Sequence, residues 1–373
     1  MERATVDIYE ARGAEWAAGR RPVRHHDAVA FAARLPAGAV RLDAGAGAGR
    51  YTAALGRPVV ALDAARTMLT LLRDAAPGAW PVQADLEALP LRRGAVGGTW
   101  ANMSYLHVPR ARLPLALADL HRAMAVGGPL DVQVLAGDYE GTALPSDDVG
   151  GRFFSASPPE ALVDVLAGAG FDVSHVEVEG DVVRARATRA RTLADTVGPG
   201  MALLVCGLNP SEYAADRGVG YARPGNRFWP AAVAAGLVTR EGDPVHALRA
   251  HGIGMTDLVK RATPAARALS ADEYRAGSAR VERLVRWLRP GAVCFVGLAG
   301  WRAAVDRRAR AGVQPEPFGG RPAYVMPSTS GLNARTPTAA LAAHLGAALR
   351  LSRGAAPAGR AGGPVTRSGA GGW

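Results

Sequence analysis

VRLDAGAGAGRY, residues 40–51, decides the fold of the first half of this 373-residue chain. An apolar run ends in Asp43, three alternating glycines follow, and a helix is predicted after them. Glycines at the carboxyl end of a strand let a ligand approach the main-chain N–H groups of the next helix. The next apolar run ends in Asp63, about 20 residues further on, where a carboxylate suits paired ribose hydroxyls. The spacing predicts a nucleotide-like ligand, and close packing is the alternative reason for such glycines.

Outward from this stretch, short β-branched runs alternate with segments that carry apolar residues at helical spacing. Alternation of this kind is typical of a mostly parallel sheet covered by helices on both faces. It pauses at a polar segment that ends in Gly-Pro-Gly and restarts at Met201. We therefore predict two α/β domains, residues 1–190 and 201–351, joined by a linker over 191–200. The Gly/Ala/Pro-rich residues 352–373 are predicted to be a disordered tail.

Charge differs between the two halves of the chain. Residues 1–190 hold 20 Arg and no Lys against 22 acidic residues, a net charge of −2, whereas residues 191–373 carry +13. A basic second half predicts a polyanionic partner for that half alone.

The apolar runs contain charged or glycine residues too often to span a membrane, and the first residues form no apolar leader. We therefore expect a cytoplasmic protein without a membrane partner. Cys206 and Cys294 each lie inside a strand-like apolar run, which predicts buried thiols rather than a disulfide or metal ligands.

Four stretches of the first half, LDAGAGAG, ALD, QADLEALPL and LADLHRAMAVGGPLDV, resemble the class I S-adenosylmethionine-dependent methyltransferases over residues 8–187. The resemblance implies a Rossmann-like fold with S-adenosylmethionine as cofactor. It also implies a set of cofactor-binding residues for the methionine and ribose portion, the ribose hydroxyls, the adenine and the site wall. These are, in that order, Asp43, Gly45, Gly47 and Gly49; Asp63; Asp85 and Leu86; and Asn102.

The methyl acceptor is not predicted by the sequence. WANMSYLHVP, residues 100–109, holds neither the Asn-Pro-Pro-Tyr signature of amine methylation nor a cysteine nucleophile, so a base methylase finds no support. His107 is either a general base or a packing residue. A domain that binds the cofactor without useful chemistry also stays open.

The second half opens with GLNPSEYAADRGVGYARPGNRFWPA, residues 207–231. Asn209 follows a strand, at the edge where ligands bind in open α/β sheets, and the proline after it keeps it out of the helical region. An amide has no useful basicity, but it can hold a water that attacks an oxocarbenium-like sugar. Tyr221 is either a ring that stacks on a nucleobase or a loop anchor. Phe228 and Trp229 are predicted to begin a helix and pack inward.

A second polar loop, MPSTSGLNART over residues 326–336, again follows a strand. Its turn presents N–H groups that suit phosphates. Leu332 in this loop is either buried or a wedge into a base stack. Arg223 and Arg227 of the first loop either meet phosphates or are solvated.

GLNPS, YARPGNRFWPA, GIGMTDLVKRATPAARALSADEY and MPSTSGLNAR together resemble the mismatch-specific branch of the uracil-DNA glycosylase superfamily over residues 201–351. The resemblance implies a three-layer α/β/α domain that acts in base-excision repair without a cofactor or metal. Its implied substrate is uracil, or a mispaired or damaged pyrimidine, opposite guanine. The implied partner is double-stranded DNA with G·U or G·T mismatches, bound by a monomer.

By this resemblance, Asn209 positions the attacking water, Tyr221 stacks on the flipped pyrimidine, and Asp257 and Thr263 lie near the base. The implied wedge and DNA-binding residues are Ser328, Ser330, Gly331, Leu332, Asn333 and Arg335. Two departures bear on these assignments. Gly-Leu-Asn-Pro-Ser stands where the family has Gly-Ile-Asn-Pro-Gly. Asp257 stands where Asn or Lys is frequent, which leaves the base preference open.

Lys260 is the only lysine in the chain, and nothing in the pattern places it at a sugar C1′. A monofunctional glycosylase without Schiff-base chemistry is therefore predicted. The alternative is a methyltransferase of a small molecule or RNA whose second domain serves only to bind nucleic acid or damage.

Overall fold

The computed structural model describes residues 1–354, which form two β-sheets, one in each half of the chain. The predicted tail over 352–373 is wrong for its first three residues, which end the last helix. Ser352 is buried there, and its hydroxyl donates to the carbonyl oxygen of Leu349. The rest of the predicted tail lies outside the described residues.

The first domain is built on a sheet of nine strands in the order β3-β2-β1-β4-β5-β7-β6, with β9 on β5 and β8 on β9. Neighbours among β1 to β5 are parallel, whereas β5–β9 and β8–β9 are antiparallel. The strands are β1 (Arg41–Ala44), β2 (Val59–Asp63), β3 (Trp80–Gln83), β4 (Gly98–Asn102), β5 (Pro129–Ala136), β6 (Glu140–Gly141), β7 (Phe154–Ser157), β8 (Phe171–Glu179) and β9 (Val182–Arg189). The helices are α1 (Arg3–Ala18), α2 (His25–Ala33), α3 (Arg66–Ala75), α4 (Leu113–Ala123) and α5 (Pro159–Gly168).

The chain after the glycines differs from the predicted helix. Residues 46–55 form consecutive turns, in which hydrogen bonds mostly span three residues, as from Gly49 N to Ala46 O and from Thr52 N to Gly49 O. Gly47 and Gly49, with φ of 54° and 81°, lie outside the right-handed helical region, and Gly56, with a φ of 73°, turns the chain toward β2. The strand and the glycine turn were nevertheless predicted at the right place.

The second domain has a five-stranded sheet in the order β11-β10-β12-β14-β13, parallel except for the last pair. Its strands are β10 (Leu203–Gly207), β11 (Ile253–Asp257), β12 (Ala292–Val296), β13 (Gly312–Val313) and β14 (Ala323–Met326). Its helices are α6 (Glu212–Arg217), α7 (Phe228–Ala234), α8 (Pro244–His251), α9 (Ala271–Leu288), α10 (Leu298–Ala304) and α11 (Thr338–Gly354).

Both faces of this second sheet are buried, which makes the domain three-layered as predicted. Along β10, Leu203 and Val205 belong to a core with α7 and α11, whereas Leu204 and Cys206 belong to a core with α9 and α10. Because both faces are buried, the sequences of these parallel strands are continuously apolar and do not alternate between apolar and polar residues. Phe228 and Trp229 begin α7 and are buried, which confirms their predicted core position.

The prediction drawn from the two cysteine-containing apolar runs has a structural counterpart. Cys206 and Cys294 are free, fully buried thiols, as predicted. Within residues 1–354, no helix has the length and apolar character needed to cross a bilayer.

The segment predicted as a linker, residues 191–200, is packed rather than extended into solvent. Thr196 exchanges two main-chain hydrogen bonds of 2.8 Å with Met255, and so pairs with the edge strand β11. The main-chain nitrogen of Asp195 donates to Gly168 O at the end of α5. The segment thus contacts both domains and covers a strand edge that would otherwise be open.

Helix α9 packs so closely on the chain after β11 that an added methyl group should destabilise the protein. An ideal Cβ at Gly277 would lie 1.9 Å from the Leu258 carbonyl oxygen, so we expect Gly277→Ala to cost about 1–3 kcal/mol. Thermal unfolding measures this as a lower midpoint.

Gly346→Ala in α11 is the matched control. Its Cβ would meet only the flexible Arg350 side chain at 3.4 Å, so the helix preference of alanine should stabilise by about 0.5–1 kcal/mol. Equal midpoints for the two variants would contradict the close approach of α9.

Candidate functional site

A cavity of about 530 Å³ lies at the carboxyl ends of β1, β2 and β4 in the first domain. Helix α1 forms part of its wall through Tyr9 and Trp16. Its volume is that of a small-molecule site. Seven of the eight predicted cofactor-binding residues line it, namely Asp43, Gly45, Gly47, Gly49, Asp63, Leu86 and Asn102.

Asp63 connects the ends of two neighbouring strands. Its Oδ2 accepts a hydrogen bond from Gly47 N at 2.9 Å, and its Oδ1 accepts one from Ala65 N at 2.9 Å. Burial raises the pKa of Asp63 in spite of these donors. The carboxylate therefore holds the glycine turn in shape besides facing the cavity.

Asp43 at the end of β1 is also buried. Thr52 Oγ1 donates to it at 2.6 Å, yet burial raises the pKa of Asp43 to about 7. Gly45 beside it has a φ of 75°, and a Cβ there would lie 2.3 Å from Ser104 Cβ. Only glycine allows the turn to pass so close to the loop after β4.

Three buried polar atoms on the cavity wall lack a partner among the described residues. They are Trp16 Nε1, Asn102 Oδ1 and Ser104 Oγ. Such atoms are costly to bury unless a ligand or water satisfies them. With the carboxylates of Asp43 and Asp63, they fit a ligand rich in hydroxyl and amino groups, as S-adenosylmethionine is. Asp85 lies beside the cavity, where its carboxylate accepts hydrogen bonds from the Met1 nitrogen.

His107 lies on the wall of the same cavity with both ring nitrogens engaged. Nδ1 lies 2.7 Å from Phe153 O, and Nε2 lies 3.0 Å from the hydroxyl of Tyr9, which also accepts from Arg152 at 2.8 Å. Burial lowers the pKa of His107 to about 4. The ring is therefore neutral near pH 7 and ties α1 to the strand that begins at Phe154.

The second loop cluster lies at the carboxyl ends of β10, β11 and β14, where Asn209 is half-buried. Its Nδ2 donates to Pro210 O at 3.1 Å, Arg261 O at 3.0 Å and Thr263 Oγ1 at 2.8 Å. These acceptors determine which end of the amide is NH2. Among residues 1–354, no hydrogen bond uses Asn209 Oδ1, so this oxygen is available to a water.

Thr263 contacts Asn209 rather than standing apart from it. The Thr263 hydroxyl accepts from the amide and donates to Ala265 O at 3.1 Å, and its main-chain nitrogen donates to Pro210 O. The residue is buried. Predicted as a base-binding residue, Thr263 holds the amide in orientation.

Tyr221 and Asp257 approach each other above the end of β10. A Cβ at Gly207 would lie 2.4 Å from Asp257 Oδ1 and 3.1 Å from Tyr221 Oη, so only glycine leaves room for both. Burial raises the pKa of Asp257 to about 6. The Tyr221 hydroxyl is buried and forms no hydrogen bond within the described chain. The two groups form a buried polar pair at the end of β10, the strand that Asn209 follows.

The ring of Tyr221 stacks on Phe228, with centroids 4.1 Å apart and planes at 19°. Tyr221 has a φ of 61°, which non-glycine residues rarely adopt, so its loop holds the ring against an energetic preference. One ring face is therefore covered by protein, while the side chain remains half-exposed.

The loop after β14 presents Leu332 at its tip, with 90% of its surface exposed. Asn333 Nδ2 holds the loop closed through Ser328 O at 2.8 Å and Thr336 Oγ1 at 3.0 Å. The hydroxyls of Ser328 and Ser330 accept from main-chain nitrogens of the same loop. An exposed leucine on a braced loop excludes the buried alternative for this residue.

Arg227 fits neither of the two roles considered for it from the sequence, a phosphate contact or a solvated side chain. Its guanidinium donates to the carbonyl oxygens of Ser330, Asn333 and Thr336, and so braces the Leu332 loop instead of facing phosphates. Arg223 and Arg335 are exposed. The Asn-Arg-Phe-Trp run carries no signal for this role, because the partners are main-chain atoms about 100 residues away.

Comparisons with solved structures return methyltransferases. A methyltransferase bound to the Trm112 activator of Haloferax volcanii is 16% identical, with a TM-score of 0.42, over 50% of this chain and 97% of that one. The DhpI complex with SAH is 22% identical, with a TM-score of 0.41, over 50% and 96%. The Burkholderia thailandensis 1,6-didemethyltoxoflavin-N1-methyltransferase is 22% identical, with a TM-score of 0.40, over 51% and 89%.

Two family models match separate parts of the chain. Residues 42–130 match the family described as methyltransferase domain, and residues 194–350 match the uracil DNA glycosylase superfamily. Both are families of enzymes. The chain therefore combines a methyltransferase domain with a domain of the uracil DNA glycosylase superfamily.

The raised pKa of Asp43 predicts a pH-dependent loss of stability. In the unfolded chain the carboxyl ionises near pH 4, whereas in the folded protein it keeps its proton up to about pH 7. The folded state thus binds more protons between these values, and its stability falls as pH rises through this window.

Asp43→Asn removes this titration. We expect the difference between the thermal unfolding midpoints, variant minus unaltered protein, to increase from about pH 4 to pH 7. Above pH 7 this difference should stay constant. A difference that stays constant across this range would show that Asp43 is already ionised in the folded protein.

Proposed function

We propose that residues 194–350 form a monofunctional DNA glycosylase of base-excision repair. It hydrolyses the N-glycosidic bond of uracil, or of a mispaired or damaged pyrimidine, opposite guanine in duplex DNA. The observation that carries the proposal is the orientation of Asn209, whose NH2 group is held by three oxygens of its own domain. This leaves the amide oxygen for a water, and the superfamily match supports the same chemistry.

In the proposed reaction, Asn209 Oδ1 accepts a hydrogen bond from a water and directs it to C1′ of the deoxyribose. The C1′–N bond breaks ahead of attack, and the base leaves with the bonding electrons. The water oxygen then bonds to C1′ and its proton passes to solvent. An amide suffices because the oxocarbenium-like carbon is reactive enough for a neutral water.

Lys260 takes no part as a nucleophile in this reaction. Its ammonium donates to Asp195 Oδ1 at 2.8 Å and is largely buried. A Schiff base needs a neutral amine that can reach the sugar. The product is therefore an abasic site in an uncut strand.

Recognition of the flipped base is assigned to the polar pair of Tyr221 and Asp257. Asp257 and the Tyr221 hydroxyl offer a carboxyl group and an O–H group to the base edge, and the ring of Tyr221 offers a stacking face opposite Phe228. Leu332 fills the space that the base leaves in the duplex, because an exposed apolar side chain on a braced loop is suited to a base stack.

We expect Asn209→Ala to lower the single-turnover rate of uracil excision from a G·U duplex by at least about a hundredfold. The Kd for the same duplex should change little, because the amide contacts the water rather than the DNA backbone. Abasic sites are measured by strand cleavage after alkali treatment.

An undiminished rate in this variant would contradict the role of Asn209. Tight binding without excision by the unaltered protein would favour the alternative, a second domain that only binds nucleic acid or damage.

The first domain is proposed to bind S-adenosylmethionine, which supplies a methyl group on a positively charged sulfur. Asp63 and Asp43 would face its hydroxyl and amino groups, and Asn102 Oδ1 would gain the partner it lacks. The engaged nitrogens of His107 give it a positioning role for α1 rather than that of a free base. A small molecule or RNA is the acceptor in this proposal.

Calorimetry should detect S-adenosylmethionine binding that Asp63→Ala weakens by about tenfold or more, because ligand and glycine turn both lose a charged acceptor. Asp74→Ala, an exposed carboxylate on α3, is the control and should bind like the unaltered protein. No binding by the intact protein would mean that the domain is a relic.

A further inference from the structure

We propose that residues 191–196, between the two domains, are a positioning element of the base-excision site. They act through Lys260 and Arg280 on the strand and loop that orient Asn209. The proposal rests on the glycosylase function proposed above and assigns part of that function to a segment predicted to be a linker, of which residues 194–196 fall within the superfamily match.

The carboxylate of Asp195 is the first contact of this element. It lies almost fully buried, with Oδ1 accepting from Thr256 Oγ1 at 2.7 Å and Lys260 Nζ at 2.8 Å, and Oδ2 accepting from Arg280 Nη1 at 2.8 Å. Burial alone would raise the pKa of Asp195, but the two cations lower it. Asp195 is therefore an anion whose two carboxylate oxygens both accept hydrogen bonds from the second domain.

From this cluster, one path leads to Asn209 through the loop after β11. The hydroxyl of Thr192 donates to the carbonyl oxygen of Lys260, whose side chain is held by Asp195. Arg261 and Thr263, which follow Lys260 in the same loop, supply two of the three oxygens that accept hydrogen bonds from the Asn209 amide. The hydrogen bond from Thr192 therefore fixes the main chain one residue before Arg261, the first of these acceptors.

Another path leads to Asp257. Arg280 Nη2 donates to Asp257 O at 2.9 Å and to Thr256 Oγ1 at 3.0 Å, while Nη1 binds Asp195. Without the anion, two buried cations would repel each other behind the end of β11. Removal of one partner from a buried ion cluster is strongly unfavourable and moves the groups left behind.

On the other side of Asn209, Arg191 forms an ion pair with Asp216 of α6, with its nitrogens 2.7 and 2.8 Å from the carboxylate. Helix α6 begins at Glu212, three residues after Asn209, and Ser211 is its N-cap. The element therefore contacts the chain on both sides of the amide. The ion pairs of Asp195 and Arg191 and the hydrogen bond of the Thr192 hydroxyl make this element part of the site.

The test compares Asp195→Asn with Asp164→Asn in the full chain. Asp164 forms a bidentate pair with Arg283 of α9, so it also joins the domains, but the pair is exposed and, among residues 1–354, Asp164 forms no hydrogen bond to Lys260, Arg280 or the loop after β11. We expect Asp195→Asn to slow single-turnover excision about 10- to 100-fold with little change in the duplex Kd, because misplaced groups lose rate rather than binding. Asp164→Asn should stay within about twofold, as exposed pairs contribute little.

The side-chain amide signal of Asn209 provides a readout that does not need activity. The chain has only four asparagines, so protein labelled with ¹⁵N-asparagine gives four NH2 pairs, and Asn209→Ala assigns the one in question. We expect this pair to shift in Asp195→Asn and to stay in place in Asp164→Asn. Thr192→Val, which removes only a hydroxyl, should also shift it and serves if Asp195→Asn fails to fold.

Normal rates with an unmoved Asn209 signal in both Asp195→Asn and Thr192→Val would overturn the proposal. Slowing in Asp164→Asn equal to that in Asp195→Asn would also overturn it, because domain contact alone would then explain the loss. Absence of excision by the unaltered protein counts against the glycosylase function, and the Asn209 signal then still decides whether the segment positions the amide.

Discussion

The buried carboxylate of Asp195, held between Lys260 and Arg280, is the interaction that fixes the segment between the two sheets to the second domain. Three charges are removed from water here, which costs several kcal/mol for each ion unless the geometry and the hydrogen bonds offset it. Thr256 and the short distances provide that offset. Because the main chain of the same residue binds the end of α5, the domains meet through a defined contact rather than through a flexible tether.

A second constraint explains where both sites lie. Parallel strands bring their carboxyl ends to the same edge of a sheet, so polar residues that follow separate strands meet in space. Asp43 and Asp63 do so in the first sheet, and Asn209 and Asp257 in the second. In both places, a glycine allows the approach of side chains from a neighbouring loop, which is why Gly45 and Gly207 accompany the polar residues.

This constraint also separates what the sequence predicts from what it does not. Strand ends, glycine turns and the motif residues are local, so the two α/β sheets were predicted and seven of the eight predicted cofactor-binding residues line the cavity. The bracing role of Arg227 and the cluster around Asp195 join residues far apart in sequence, and neither has a local pattern. The same reason explains why residues 191–200 were predicted to be a linker. A polar segment that ends in Gly-Pro-Gly is typical of a solvated linker, and the sequence does not show that Asp195 binds Thr256, Lys260 and Arg280.

Only part of the positive charge of the second half is therefore available to attract DNA. Lys260 and Arg280 are neutralised within the protein, and Arg227 is committed to carbonyl oxygens of the Leu332 loop. Arg223 and Arg335, in contrast, are exposed and form no ion pair within residues 1–354, and they belong to the two loops that carry Tyr221 and Leu332. In the proposed complex with DNA, Arg223 and Arg335 are thus the side chains of these two loops that are available to phosphates, while the buried Lys260 and Arg280 hold the residues proposed to act on the base.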